Sequence, residues 1–131
     1  MTDNRKPRTL EEYLEDMQKS VNRLMEISRV DGSVFKDNED KQDAAIRHIQ
    51  ILGEISSKLL KHYPAFTADN KDIPFRKISD MRKQLIHGYF GVSLDAVWEV
   101  LKINIPALDS QLSTVVVTSK NSIQKGRGVK I

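Results

Sequence analysis

Arg82, His87 and Tyr89 stand within eight residues of one another, in the run Arg82-Lys83-Gln84-Leu85-Ile86-His87-Gly88-Tyr89. An arginine can hold a phosphate through two parallel hydrogen bonds, a histidine exchanges protons near neutral pH, and a phenol can donate a hydrogen bond or accept a covalent group. Together they suit phosphodiester chemistry that needs no metal. On an ideal helix, at about 100° per residue, Arg82 and Tyr89 share a face while His87 lies roughly 140° from Arg82. A continuous helix would therefore keep the three apart. Gly88 offers a way out, because glycine accepts the left-handed conformation that ends helices. His87 is then expected as the last helical residue, with the chain turning back after it. At such an end the helix terminus favours the histidine cation and a nearby arginine opposes it, a balance suited to taking and giving protons.

The elements that must position this motif are helical. Thr9 and Glu12 form a capping box, after which Leu10, Tyr13, Leu14, Met17, Val21, Leu24 and Met25 recur at helical spacing. Asp31-Gly32 breaks that pattern, and Asp37-Asn38-Glu39-Asp40 supplies capping oxygens and early acids for a second helix reaching about Lys61. Its buried stripe is expected to be Ala45, Ile49, Leu52, Ile55 and Leu59. Tyr63-Pro64 should end it, followed by a polar loop through Lys71. Pro74 fits the first position of a third helix, which carries Phe75, Ile78, Met81, Leu85 and Ile86 up to the motif. Ser93 caps a fourth, with Leu94, Val97, Trp98, Leu101 and Ile105 on its apolar face and Pro106 expected to kink or restart it. Leu108 and Leu112 suit a short fifth segment, and 114–118 has the β-branched composition of a strand without an evident partner. The expected fold is all-α, an up-down bundle of four to five helices.

At 131 residues the chain is long enough for one domain with a real core. It has no cysteine, which excludes disulfides and thiolate metal sites and fits a reducing cytoplasm. The N-terminus is polar and no apolar run approaches the roughly 20 residues of a membrane span, so a soluble, cytoplasmic protein is expected, with no membrane partner. The net charge of +3 is unevenly placed: residues 1–8 carry +2, residues 113–131 carry +4 and the body carries −3. Three regions are therefore expected: a basic arm over 1–8, a helical domain over 9–112 and a basic tail over 113–131. His48 and His62 have no companions at metal-ligand spacing, so no metal and no cofactor are expected. Trp98, at a helical core position, reads as packing rather than as a base-stacking platform.

The motif and its flanks resemble the HepT-like toxins, a branch of the HEPN superfamily of small helical ribonucleases. The similarity runs through 43–54, where Asp43-Ala44-Ala45-Ile46-Arg47-His48 leads to Gly53-Glu54, then Ile73-Pro74-Phe75, and on through Gly88-Tyr89-Phe90-Gly91-Val92 to Val97-Trp98. Lys83 stands where that family usually has asparagine, and Phe75 where it usually has tryptophan. The resemblance implies a HEPN-like homodimer in which the motif helices of two subunits form a shared cleft. Arg82 and His87 would be catalytic residues of a metal-independent endoribonuclease acting on RNA. It also implies a partner, an MntA-type nucleotidyltransferase antitoxin that transfers AMP to the motif tyrosine, here Tyr89. Asp43, Arg47 and Glu54 share one face of the second helix, Asp43 and Arg47 at a favourable ion-pair spacing. With Lys83, they are the candidates for lining the cleft. Lysine brings a mobile point charge and no acceptor to its position. The alternative reading is thus a non-catalytic helical subunit that binds nucleotide or substrate for a nucleotidyltransferase.

Overall fold

A computed structural model describes residues 8–87 and 93–115, with the backbone alone over 85–87. The described residues are helical wherever they are regular, in an all-α bundle. The helices are α1 (Leu10–Ile27), α2 (Gly32–Lys36), α3 (Glu39–His62), α4 (Pro64–Asp69), α5 (Phe75–His87) and α6 (Leu94–Glu99). A π-helical turn (Val100–Asn104) joins α6 to a further α-helical stretch over 105–115, α7.

The long helices start where their caps require. Thr9 accepts from the Glu12 backbone N–H at 3.0 Å while the Glu12 carboxylate accepts from the Thr9 N–H at 2.9 Å, closing the capping box. Asn38 caps α3 by accepting from the Lys41 N–H at 3.0 Å, and Ser93 caps α6 by accepting from the Ala96 N–H at 3.2 Å. α3 forms the centre of the bundle, packing chiefly on α5 and on α1. Its expected stripe of Ala45, Ile49, Leu52, Ile55 and Leu59 is buried, against Leu14, Met17, Val21 and Leu24 of α1 and Phe75 and Ile78 of α5 in one core.

Several local expectations are corrected. The segment after Asp31-Gly32 contains α2, whose Phe35 is fully buried. Burying such a ring contributes roughly 1.5–3 kcal/mol, part of what holds a helix too short to form alone. The Phe35 ring lies 5.0 Å from that of Trp98, and Lys102 stands over the indole. The side chain of Gln42 donates to the Phe35 and Lys36 carbonyls, satisfying two groups at the end of α2. An ion pair between Lys36 and Asp95 ties α2 to α6.

The expected loop after Tyr63 is instead the short helix α4, with Pro64 at the position where its missing N–H is not needed. Aromatic contacts anchor this corner: Tyr63 meets Tyr13 edge-on at 6.4 Å, and Phe66 packs 5.9 Å from Phe75. Pro74 precedes α5 rather than opening it, and its carbonyl accepts from the Ile78 N–H at 3.0 Å. At Pro106, as expected, the α-helix restarts, α7 following the π turn from residue 105. A proline lacks an N–H and crowds the carbonyl four residues back, and the π turn just before it takes up that mismatch. α7 then continues through Leu108 and Leu112, both buried. Thr114 and Val115 are helical, not extended, and the remainder of that β-branched run lies outside the described residues. Gln18 of α1 donates to Asp109 of α7 at 2.9 Å, closing the bundle.

Candidate active site

The motif rides on α5, which runs back along α3, so the seam between these helices sets where the motif side chains start. Arg82 is half-buried in that seam, opposite Gly53 of α3. Among the described residues its guanidinium enters no ion pair or hydrogen bond. The arginine is therefore packed at its root and has no described partner at its tip. Lys83 and Gln84, the next two residues, are exposed. Successive helical residues diverge by about 100°, so the lysine leaves the helix toward solvent while the arginine leaves it along the seam.

α5 is described as far as His87, whose side chain, with Gly88 and Tyr89, lies outside the described residues. The expected turn after His87 is therefore not part of this geometry. The topology still relates the motif to α3. Arg47 lies about 9 Å before Gly53 along the α3 axis, and His87 about 7.5 Å beyond Arg82 along α5, at 1.5 Å per residue. Since the helices run in opposite directions, these displacements point the same way, and Asp43 and Arg47 lie toward the motif end of the seam.

Asp43, Arg47 and Glu54 are all exposed. The described ion pairs are Arg8–Asp16, Arg23–Glu26 and Lys36–Asp95, so the favourable spacing of Asp43 and Arg47 does not produce a pair. For exposed side chains such a pair is worth only about 0.3–0.5 kcal/mol, little more than the entropy of holding it.

His48 belongs to the packing between α1 and α3 and not to the motif. Its Nδ1 is hydrogen-bonded to the buried Ser20 hydroxyl at 3.1 Å. Burial, then the positive charges of Arg23 and Arg47, hold its pKa below the ordinary histidine value. Among the described residues no three His, Asp or Glu side chains converge as a metal site would require. Nor is any described helix long and apolar enough to cross a membrane.

A groove of about 200 Å³ opens between α5 and the π turn, walled by Ile78, Met81, Ile103 and Leu108 among others, and Arg82 does not line it. The candidate site is thus a helix seam with a cation at its edge, distinct from this apolar groove. Sequence reasoning missed the role of Gly53, taken only as part of a family-like run. The available signal was a lone glycine inside an otherwise strong helix, which costs about 1 kcal/mol against alanine and so points to a packing demand.

The chain is a helical bundle whose α5 carries an arginine and, five residues further on, a histidine, residue types that can meet a phosphate ester in many classes of protein. Comparison with known proteins narrows that range. The family model described as "Ribonuclease HepT-like" matches residues 10–115, and the chain belongs to that family. It is 32% identical over 102 residues to the "Probable ribonuclease HepT" of Thermococcus cleftensis, covering 77% of this chain and 90% of the relative. A "Putative RNase" of Caldanaerobacter subterraneus subsp. tengcongensis is 32% identical over 111 residues, covering 82% and 95%. One from Methanocaldococcus jannaschii is 29% identical over 114 residues, covering 83% and 92%. No solved structure gives a significant match.

Proposed function

We propose that the protein is a metal-independent endoribonuclease, the toxin of a HepT/MntA-type toxin–antitoxin pair, acting as a homodimer with the motif helices of two subunits around one cleft. The observation that carries this reading is the placement of Arg82, rooted in the α3–α5 seam with no described partner for its guanidinium. Membership of a family whose relatives are named as ribonucleases supplies the reaction class.

In the mechanism, the His87 imidazole removes the proton from a ribose 2′-hydroxyl, and the oxygen attacks the adjacent phosphorus. The P–O bond to the next nucleotide breaks. Its leaving oxygen takes a proton from the partner's His87, leaving a 2′,3′-cyclic phosphate and a free 5′-hydroxyl. Arg82 stabilises the charge that builds on the non-bridging oxygens. Arg47, on the same end of α3 as the motif, adds positive potential, and Asp43, Glu54 and Lys83 border the cleft.

The antitoxin in this reading is an MntA-type nucleotidyltransferase that joins AMP to the Tyr89 oxygen, releasing pyrophosphate from ATP. The added phosphate would occupy the Arg82 site and repel RNA. Equal silencing of Tyr89→Phe by the transferase would defeat this part of the reading alone.

The deciding experiment is RNA cleavage in EDTA by wild-type protein and His87→Ala, with product ends identified and folding checked by circular dichroism. Cleavage leaving cyclic phosphates, lowered about 10²–10⁴-fold in the variant, is expected. A folded His87→Ala that cleaves like wild type sinks the mechanism. One observation favours a second reading: the exposed Lys83, where the family usually has asparagine, offers a charge without an acceptor. A wild-type protein that binds the transferase and nucleotide tightly yet leaves RNA intact would establish a non-catalytic presenting subunit instead.

A further inference from the structure

We propose that Gly53 is a positioning residue for Arg82: the side chain missing from α3 lets the root of the arginine seat against the helix and so sets where its guanidinium stands. The inference rests on the reading of Arg82 as the phosphate-holding group. A Cβ built on Gly53 would overlap the Cβ of Arg82, and would stand 3.0 Å from the Ile78 carbonyl oxygen and 3.2 Å from Arg82 Cδ. These are a side-chain root, a backbone atom and a side-chain stem. None can swing aside as the tip of a long side chain can.

Gly53 is buried in the interior of a 24-residue helix. No described glycine has a positive φ, so an unusual backbone conformation is not what this position requires. What it provides is proximity. An arginine whose first carbons are held against a neighbouring helix keeps fewer rotamers, and its charged end sweeps a smaller arc. Catalytic groups are sensitive to this, since a misplacement of about 1 Å can cost on the order of 10²-fold in rate.

The test is binding of a 2′-O-methyl RNA, which lacks the attacking hydroxyl and stays intact, followed by fluorescence anisotropy. Full-length wild type, Arg82→Ala, Gly53→Ala and the double variant are compared, each with a thermal melt. Arg82→Ala is expected to bind roughly 10-fold more weakly, the scale of one charge-assisted hydrogen bond. Gly53→Ala should lose a similar factor, and the double variant no more than Arg82→Ala alone. Stability must behave differently. An alanine at 82 keeps the Cβ that an alanine at 53 would meet, so the drop in melting temperature caused by Gly53→Ala should recur in both backgrounds.

Wild-type affinity in Arg82→Ala would overturn the reading of the site itself, and the inference with it. Weak binding by Arg82→Ala beside unchanged binding by folded Gly53→Ala would overturn the positioning role alone. So would a Gly53→Ala binding loss of equal factor in both backgrounds. Should Gly53→Ala fail to fold, wild-type NMR decides: a cross-peak between Gly53 Hα and Arg82 Hβ with one χ1 rotamer supports the role, and rotamer averaging at Arg82 overturns it.

Discussion

Gly32 and Gly53 both lie where a neighbouring element comes too close for a side chain, and they differ in what that neighbour is. A Cβ on Gly32 would stand 3.1 Å from Trp98 Nε1 and 3.3 Å from Cε2. The neighbour there is an indole that packs against Phe35 and lies beneath Lys102, so the contact serves burial. At Gly53 the neighbours are the root of a charged side chain and a backbone carbonyl. That contact leads outward, to a guanidinium with no described partner. The same device, a glycine at a close approach, supports stability at one end of the molecule and orientation at the other.

The sharpest way to break this comparison is to remove the side chain at the centre of each region. Arg82→Ala should lower RNA cleavage by about 10²–10³-fold, the usual cost of removing a group that stabilises transition-state charge, while a thermal melt shows little change. Phe35→Ala should do the reverse, costing about 3–5 kcal/mol of stability in denaturant titration and leaving cleavage per folded molecule as in wild type. A folded Phe35→Ala with lost activity would show that the two regions are not separate.

Gly32→Ala carries a smaller effect. The indole edge has to give by a few tenths of an ångström, so a loss of about 1 kcal/mol is expected, with cleavage unchanged. A larger loss would mean that the Phe35–Trp98 stack is as unyielding as the α3–α5 seam.

The smallest expected effect lies outside both regions, at His48. Its folded pKa is lowered from 6.5, so the unfolded chain binds the proton more readily than the folded one. Its contribution is therefore fully present above pH 6.5 and lost as the pH falls through the lower folded value. Melting temperature should drop on acidification below 6.5, and His48→Gln should flatten that drop. An unaltered pH profile in the variant would assign the acid sensitivity elsewhere.

Much of the fold was legible before any coordinates. Thr9, Asn38 and Ser93 cap the helices they were expected to cap, because a capping hydrogen bond is made within three or four residues and needs no tertiary partner. The apolar stripe of α3 was legible for a related reason: 3.6-residue periodicity states which face is buried. Phe35, α4 and the π turn were not. Phe35 is stabilised from a distance by Trp98 and α4 by Tyr13 and Phe75, whereas the π turn answers the nearby Pro106, whose crowding does not state which local helix geometry relieves it. For the candidate site, residue types and spacing named Arg82, His87 and Tyr89 but were silent on what holds Arg82.

The sequence by itself therefore determined the long helices, their caps, their core faces and the chemistry that the motif residues carry, since all of these are properties of neighbours along the chain. Only the tertiary structure decided that Arg82 meets Gly53, that Asp43 and Arg47 do not pair with each other, and that Phe35 seats against Trp98. Those depend on the distance between helices, which the summed packing of many side chains sets and no local pattern records.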